Sequence, residues 1–159
     1  MGNILFFCGS IHEGKEDPDS GFFRIWQKEL AKGFEGIGNN VFWVNLTDKH
    51  IIDSLNEAFK NKIDFAFSFV GTYEKILQLK LNDGEHVLNK LNIPLVNSFM
   101  DPVFSNNNKA VRFGGINHLL ATCISEDEPD EVRFLAPYVN HTFFFPLGGT
   151  SCNKLGGGV

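Results

Sequence analysis

The apolar residues of this chain change their period again and again, and that alternation constrains the fold more than any other feature. Residues 4–8 are a continuous apolar run, the mark of a strand buried on both faces. After a polar stretch over 9–20, Phe22, Trp26, Leu30 and Phe34 recur every fourth residue. That spacing predicts a helix, with Asp19 or Ser20 placed to cap it and glycines at 33, 36 and 38 to end it. Residues 41–46 return to strand. Ile51, Ile52, Leu55, Ala58 and Phe59 make a second amphipathic stripe, capped by Thr47 or Asp48. A third strand covers 64–70, and Thr72 caps a helical stretch broken by the turn chemistry of Asn82-Asp83-Gly84. Val87, Leu88 and Leu91 resume it, and 93–99 form a fourth strand with Pro94 tolerable near its start. The stretch 101–117 reads as loop with a short helix. A fifth strand over 118–124 leads into a capping box, Ser125 with Glu128, and a helix through Val132, Leu135 and Val139. A sixth strand covers 142–147.

Strands that alternate with helices five times over form a parallel sheet with crossover helices on its faces. The expected fold is therefore α/β, a Rossmann-like three-layer α/β/α sandwich with a mainly parallel sheet of about six strands. At 159 residues the chain is long enough for one domain with a genuine core. That domain is expected over 1–150, followed by a Gly-rich flexible tail over 151–159. Phe is over-used, at 17 residues, and most of these fall in the expected strands and covering helices. Phe6, Phe7, Phe65, Phe67 and Phe143 to Phe145 are expected to be core.

The net charge of −5 argues against a nucleic-acid partner, because a phosphate backbone wants a Lys/Arg surface. No apolar run approaches the length of a membrane span. The N-terminus has no basic segment ahead of its apolar run, so it reads as a strand and not a signal peptide. Cys8, Cys123 and Cys152 stand far apart, which fits a reducing, cytoplasmic setting better than a disulfide scaffold or a structural zinc site. Cys8 and Cys123 read as buried small hydrophobes.

In a doubly wound sheet of order 3-2-1-4-5-6, the strand order reverses between the first and fourth strands. Ligands bind outside the carboxyl ends of strands at such a point, so the loops over 9–20 and 100–108 are the places to look for chemistry. In the first, Gly9 lets backbone approach a ligand, Ser10 offers a hydroxyl, His12 suits a general base and Glu13 can orient it. Past the fourth strand, Asp101 stands as a second candidate base, beside Asn97 and Ser98 as polar binding groups; Ser68 ends the third strand likewise. The bland readings are a solvated loop histidine and an ordinary Asp-Pro turn. No metal-ligand cluster and no cofactor motif is present: the first strand is not followed by Gly-x-Gly-x-x-Gly, and neither a Walker motif nor a Gly-x-Ser-x-Gly elbow occurs.

Three segments, Asp64-Phe65-Ala66-Phe67-Ser68-Phe69, Ile93 through Pro102 and Phe143-Phe144-Phe145-Pro146-Leu147-Gly148, together resemble the amino-terminal half of GT-B glycosyltransferases. Within these enzymes the segments are similar to those of the CgeB-like (spore-maturation-protein-like) group. Such enzymes have two Rossmann-like halves, and the carboxy-terminal half holds the nucleotide-sugar donor. The resemblance implies an acceptor-side domain that meets a sugar or glycan acceptor. The nucleotide-sugar would be brought by a missing C-terminal domain, so that the chain is not catalytically complete by itself. It also implies His12 or Asp101 as base and no metal.

A second set of residues, Cys8-Gly9-Ser10-Ile11, Trp26-Gln27 and Gly71-Thr72-Tyr73-Glu74, resembles nucleoside 2-deoxyribosyltransferases. That resemblance implies Glu74 as nucleophile in a complete single-domain enzyme, although the Asp expected ahead of it is absent. A non-catalytic α/β ligand-binding or interaction domain is the third reading.

Overall fold

The computed structural model describes residues 1–9, 22–69, 72–98, 115–123 and 125–144. Six strands form one parallel sheet: β1 (Asn3–Cys8), β2 (Asn40–Asn45), β3 (Phe65–Phe69), β4 (Leu95–Ser98), β5 (Leu119–Cys123) and β6 (His141–Phe144). Between them run α1 (Phe22–Gly36), α2 (Ile51–Ala58), α3 (Tyr73–Ile76), α4 (Val87–Lys90) and α5 (Glu128–Leu135). The expected Rossmann-like α/β fold is what forms.

The strand order departs from the expectation. It is β2-β1-β3-β4-β5-β6, so the order reverses between β1 and β3, not between the first and fourth strands. Both orders share the same string of elements, and only the packing of β3 directly on β1 separates them. That pairing sets Ile4 beside Phe65 and Phe7 beside Ser68. β1 suits the inside of a sheet, since Ile4 through Phe7 are all essentially inaccessible.

Alternation along the strands divides the core into two layers. Leu5, Phe7, Ala66, Leu95, Leu119 and Ala121 face Leu55 and Ala58 of α2, Ile76 of α3, Leu88 of α4 and Val132 of α5. Ile4, Phe6 and Phe67 face the other way, onto Leu30, Ala31 and Phe34 of α1. The unequal split follows from handedness. The β1-to-β2 crossover runs one way along the sheet and all later ones run the other, so right-handed crossovers put α1 on one face and α2 to α5 on the opposite face.

The ends of the elements correct several local expectations. α1 runs through Gly33 and stops at Gly36, and Gly38 at φ +90° then turns the chain back toward β2. The α2 N-cap is His50, without a side-chain cap. Asp48 instead accepts from the His50 amide at 2.8 Å, and Thr47 bonds Asn45. Thr72 does stand at the α3 N-cap, again with no side-chain cap bond. The Ser125–Glu128 capping box does not form: the α5 N-cap is Asp127, and Glu128 N donates to the Ser125 carbonyl at 3.4 Å. The helix ends at Leu135, short of Val139. The break in the third helical stretch is a turn at Gly84 (φ +83°) closed by an antiparallel bridge between Lys80 and His86. Phe143 and Phe144 are each 40% exposed, because β6 is an edge strand and edges bury less than the centre.

Candidate functional site

Corrected to the observed order, the switch point lies between the carboxyl ends of β1 and β3. Cys8 closes β1 there, with its thiol donating to the Val44 carbonyl at 3.6 Å. Gly9 follows; a Cβ built on it would rest 3.6 Å from Leu46 and Thr47, an ordinary contact. Ser10, His12, Glu13 and Asp101 lie outside the described residues.

Ser68, Asn97 and Ser98 are all described, and register brings them into one polar band. Ser68 pairs with Asn97 across β3 and β4, and Ser98 with Thr122 across β4 and β5. The pleat puts the first pair on the α2-to-α5 face and the second on the α1 face. The Ser68 hydroxyl donates to Asn97 Oδ1, and the Thr122 hydroxyl donates to Ser98 Oγ at 3.1 Å. All four side chains are buried. They sit at or next to the carboxyl ends of the central strands, while the first halves of those strands are apolar. Thr122 was missed by the sequence reading, although its signal was of the same kind: a hydroxyl near the end of an apolar strand.

One atom of this band stands out. Asn97 is 1% exposed, and its Nδ2 donor has no hydrogen-bond partner among the described residues. An unpaired buried donor costs about 1–3 kcal/mol. Such a cost is met where a ligand or bound water completes the bond. Nearby in sequence, Tyr73 opens α3 just past β3. Its phenol is buried with no hydrogen-bond partner among the described residues and is held above its ordinary pKa, by burial first and by Tyr138 second. Glu74, the nucleophile implied by the deoxyribosyltransferase resemblance, is exposed on the first turn of α3.

Comparison with protein-family models, curated proteins and solved structures gives no match.

Among the described residues no three His, Cys, Asp or Glu side chains gather to hold a metal ion. No described helix is long and apolar enough to cross a membrane. Cys123 is fully buried, and its thiol is pushed up to about 12, by burial first and then by Glu128. Only the thiolate is nucleophilic, so this is an inert core cysteine. Iodoacetamide at mildly alkaline pH should leave Cys123 unmodified in the folded chain and alkylate it fully in urea, read by peptide mass spectrometry. Rapid labelling of native Cys123 would contradict the burial.

Proposed function

We propose that this chain is the acceptor-binding half of a GT-B-type glycosyltransferase, with the nucleotide-sugar donor carried by a second Rossmann-like half. The observation that supports it is the Asn97 Nδ2 donor, buried near the carboxyl end of β4 with no partner among the described residues, one strand from the switch point. A sugar hydroxyl both accepts and donates. Its oxygen can accept a hydrogen bond from Asn97 Nδ2 while its own O–H donates to an adjacent oxygen such as Ser68 Oγ. The three segments that resemble the acceptor side of these enzymes contain Ser68, Asn97, Ser98 and Asp101. In this reading His12 or Asp101 takes the proton from the acceptor hydroxyl as it attacks the donor sugar. The same reading assigns acceptor binding to Gly9, Ser10 and Glu13.

The test is a titration of the isotopically labelled chain with monosaccharides and short oligosaccharides, with UDP-glucose and nucleosides in parallel. At least one saccharide should shift the Asn97 side-chain amide resonances and those of residues ending β3 and β4. Asn97→Leu should weaken that saccharide about tenfold, which is about 1.4 kcal/mol. UDP-glucose alone should leave the spectrum unchanged. Release of free base from a nucleoside would instead establish the deoxyribosyltransferase reading, and silence from every saccharide would remove the acceptor role.

A further inference from the structure

Among the described residues β2 is an edge strand, and its sequence, Asn-Val-Phe-Trp-Val-Asn, lacks the charged residues and proline that protect many edges. Asn40 N donates to the Gly2 carbonyl at 2.9 Å, and Leu46 N donates to the Cys8 carbonyl at 2.8 Å. Even-numbered residues therefore face β1. Strand alternation turns the N–H and C=O of Val41 and Trp43, and the N–H of Asn45, to the outer side. Among the described residues no strand pairs with that side.

A concavity of about 460 Å³ follows this edge, lined by Phe42, Trp43, Asp53, Ser54, Glu57 and Ala58. Two carboxylates one helical turn apart on α2 face it, and none of the described residues that line it is basic. Their partners stand at the two ends of the helix: His50 Nδ1, at the N-cap, is 3.5 Å from Asp53, and Lys60, just past the C-cap, meets Glu57, all of them exposed side chains. Although Trp43 borders the concavity, its side chain lies on the opposite face of the strand, with that of Phe6. Its ring packs 4.8 Å from Phe6, yet the residue stays 40% exposed.

We propose that the outer edge of β2 takes an extended cationic segment of another protein, added to the sheet as a seventh strand. The added strand shares the pleat of β2, so its residues alternate between the two faces. Lys or Arg on the α2 side meets Asp53 and Glu57, and apolar residues on the opposite side cover Trp43. A second copy of this chain fits the edge less well. Two-fold pairing of β2 with β2 sets both α2 helices side by side, so that Asp53 and Glu57 confront their own likenesses. Like charges across an interface are repulsive, and the net charge of −5 on each copy adds to the mismatch.

The test uses a fluorescein-labelled peptide of about ten residues alternating lysine and valine, long enough for one strand. Its fluorescence anisotropy should rise saturably with added protein at low salt and lose affinity as salt increases. The double variant Asp53→Asn, Glu57→Gln alters only exposed side chains and should weaken the peptide about tenfold. An alternating glutamate–valine peptide should not bind. Hydrogen exchange should show the amides of Val41, Trp43 and Asn45 open in the free chain and protected in the complex. Val41→Pro should abolish binding, with a melting curve to show that the variant is folded. The proposal is overturned if the lysine–valine peptide does not bind, if the glutamate–valine peptide binds equally, or if protection appears away from β2. It is also overturned if the free chain sediments as a dimer with those amides already protected, the result that would assign the edge to a second copy.

Discussion

Replacing Phe6 by alanine should destabilise the fold by about 3–5 kcal/mol, the range for truncating a fully buried aromatic residue. Phe6 is inaccessible and stands in the strand at the centre of the β2-β1-β3 unit. Its ring lies 4.8 Å from Trp43 and 5.3 Å from Phe67. Phe34 of α1 then meets Phe67 edge-on at 5.5 Å and Phe65 at 6.1 Å. The five rings form one continuous run that ties the edge strand, the two central strands and the only described helix on that face. Each ring pair contributes about 0.5–1.5 kcal/mol beyond its buried area, so removing Phe6 loses two pairs and leaves a cavity. A domain of ordinary stability has about 5–15 kcal/mol in total. The loss should appear as a fall in melting temperature of about 6–20 °C for a chain of this size. Phe134→Ala is the matched control: that residue is 84% exposed, and its removal should change stability by less than about 0.5 kcal/mol. Equal effects from the two variants would mean that the aromatic run is not what holds α1 to the sheet.

Acidification should destabilise the protein through His86. This residue is 4% exposed and stands at the N-cap of α4. Its Nδ1 accepts from Leu88 N at 3.2 Å, and its Nε2 lies 2.7 Å from the Ile76 carbonyl. Both bonds can exist together only in the neutral ring with the proton on Nε2. Protonation would place a second N–H against the Leu88 amide and a charge in the core. Burial, the largest effect, accordingly holds the His86 pKa below its ordinary 6.5, with the cation of Lys80 acting the same way and the Ile76 bond opposing. The folded pKa is thus depressed while the unfolded one stays near 6.5, so below that pH the unfolded chain binds the proton first. Stability is full above about pH 6.5 and declines as pH falls toward the folded pKa, at no more than about 1.4 kcal/mol per pH unit from this residue. Urea midpoints measured from neutral to mildly acidic pH should show that slope in the wild type and its loss in His86→Gln. His50, His118 and His141 are exposed. An unchanged slope in the variant would place the acid sensitivity elsewhere.

The polar pairs at the strand ends show how far residue patterns carry. Ser68, Asn97 and Ser98 were legible as polar interruptions late in apolar strands. What could not be read was which of them touch. Asn97 meets Ser68 and not Ser98 because adjacent residues of one strand point to opposite faces, and because β3 and β4 align at that register. His86 gave no signal at all. It follows an Asn-Asp-Gly-Glu turn, where a histidine is ordinarily exposed, and only the folding of 80–86 back onto α3 buries it. The caps misread at Thr47, Asp48 and Ser125 share one cause. A side chain caps a helix only if the incoming chain presents it to the first turn, and that path is set by the preceding strand.

The order of periods in this sequence was enough to determine six strands, the helices between them and a parallel sheet, because burial on one or two faces is a local demand on spacing. Burial of the continuous run at Ile4 to Phe7 belonged to that same demand. Strand order did not. The sequences of β2 and β3 are both apolar enough to lie beside β1 on either side, and the choice rests on packing between residues about sixty positions apart, as at Ile4 and Phe65. That one tertiary decision moved the switch point from the fourth strand to the third and put β2 at the open edge.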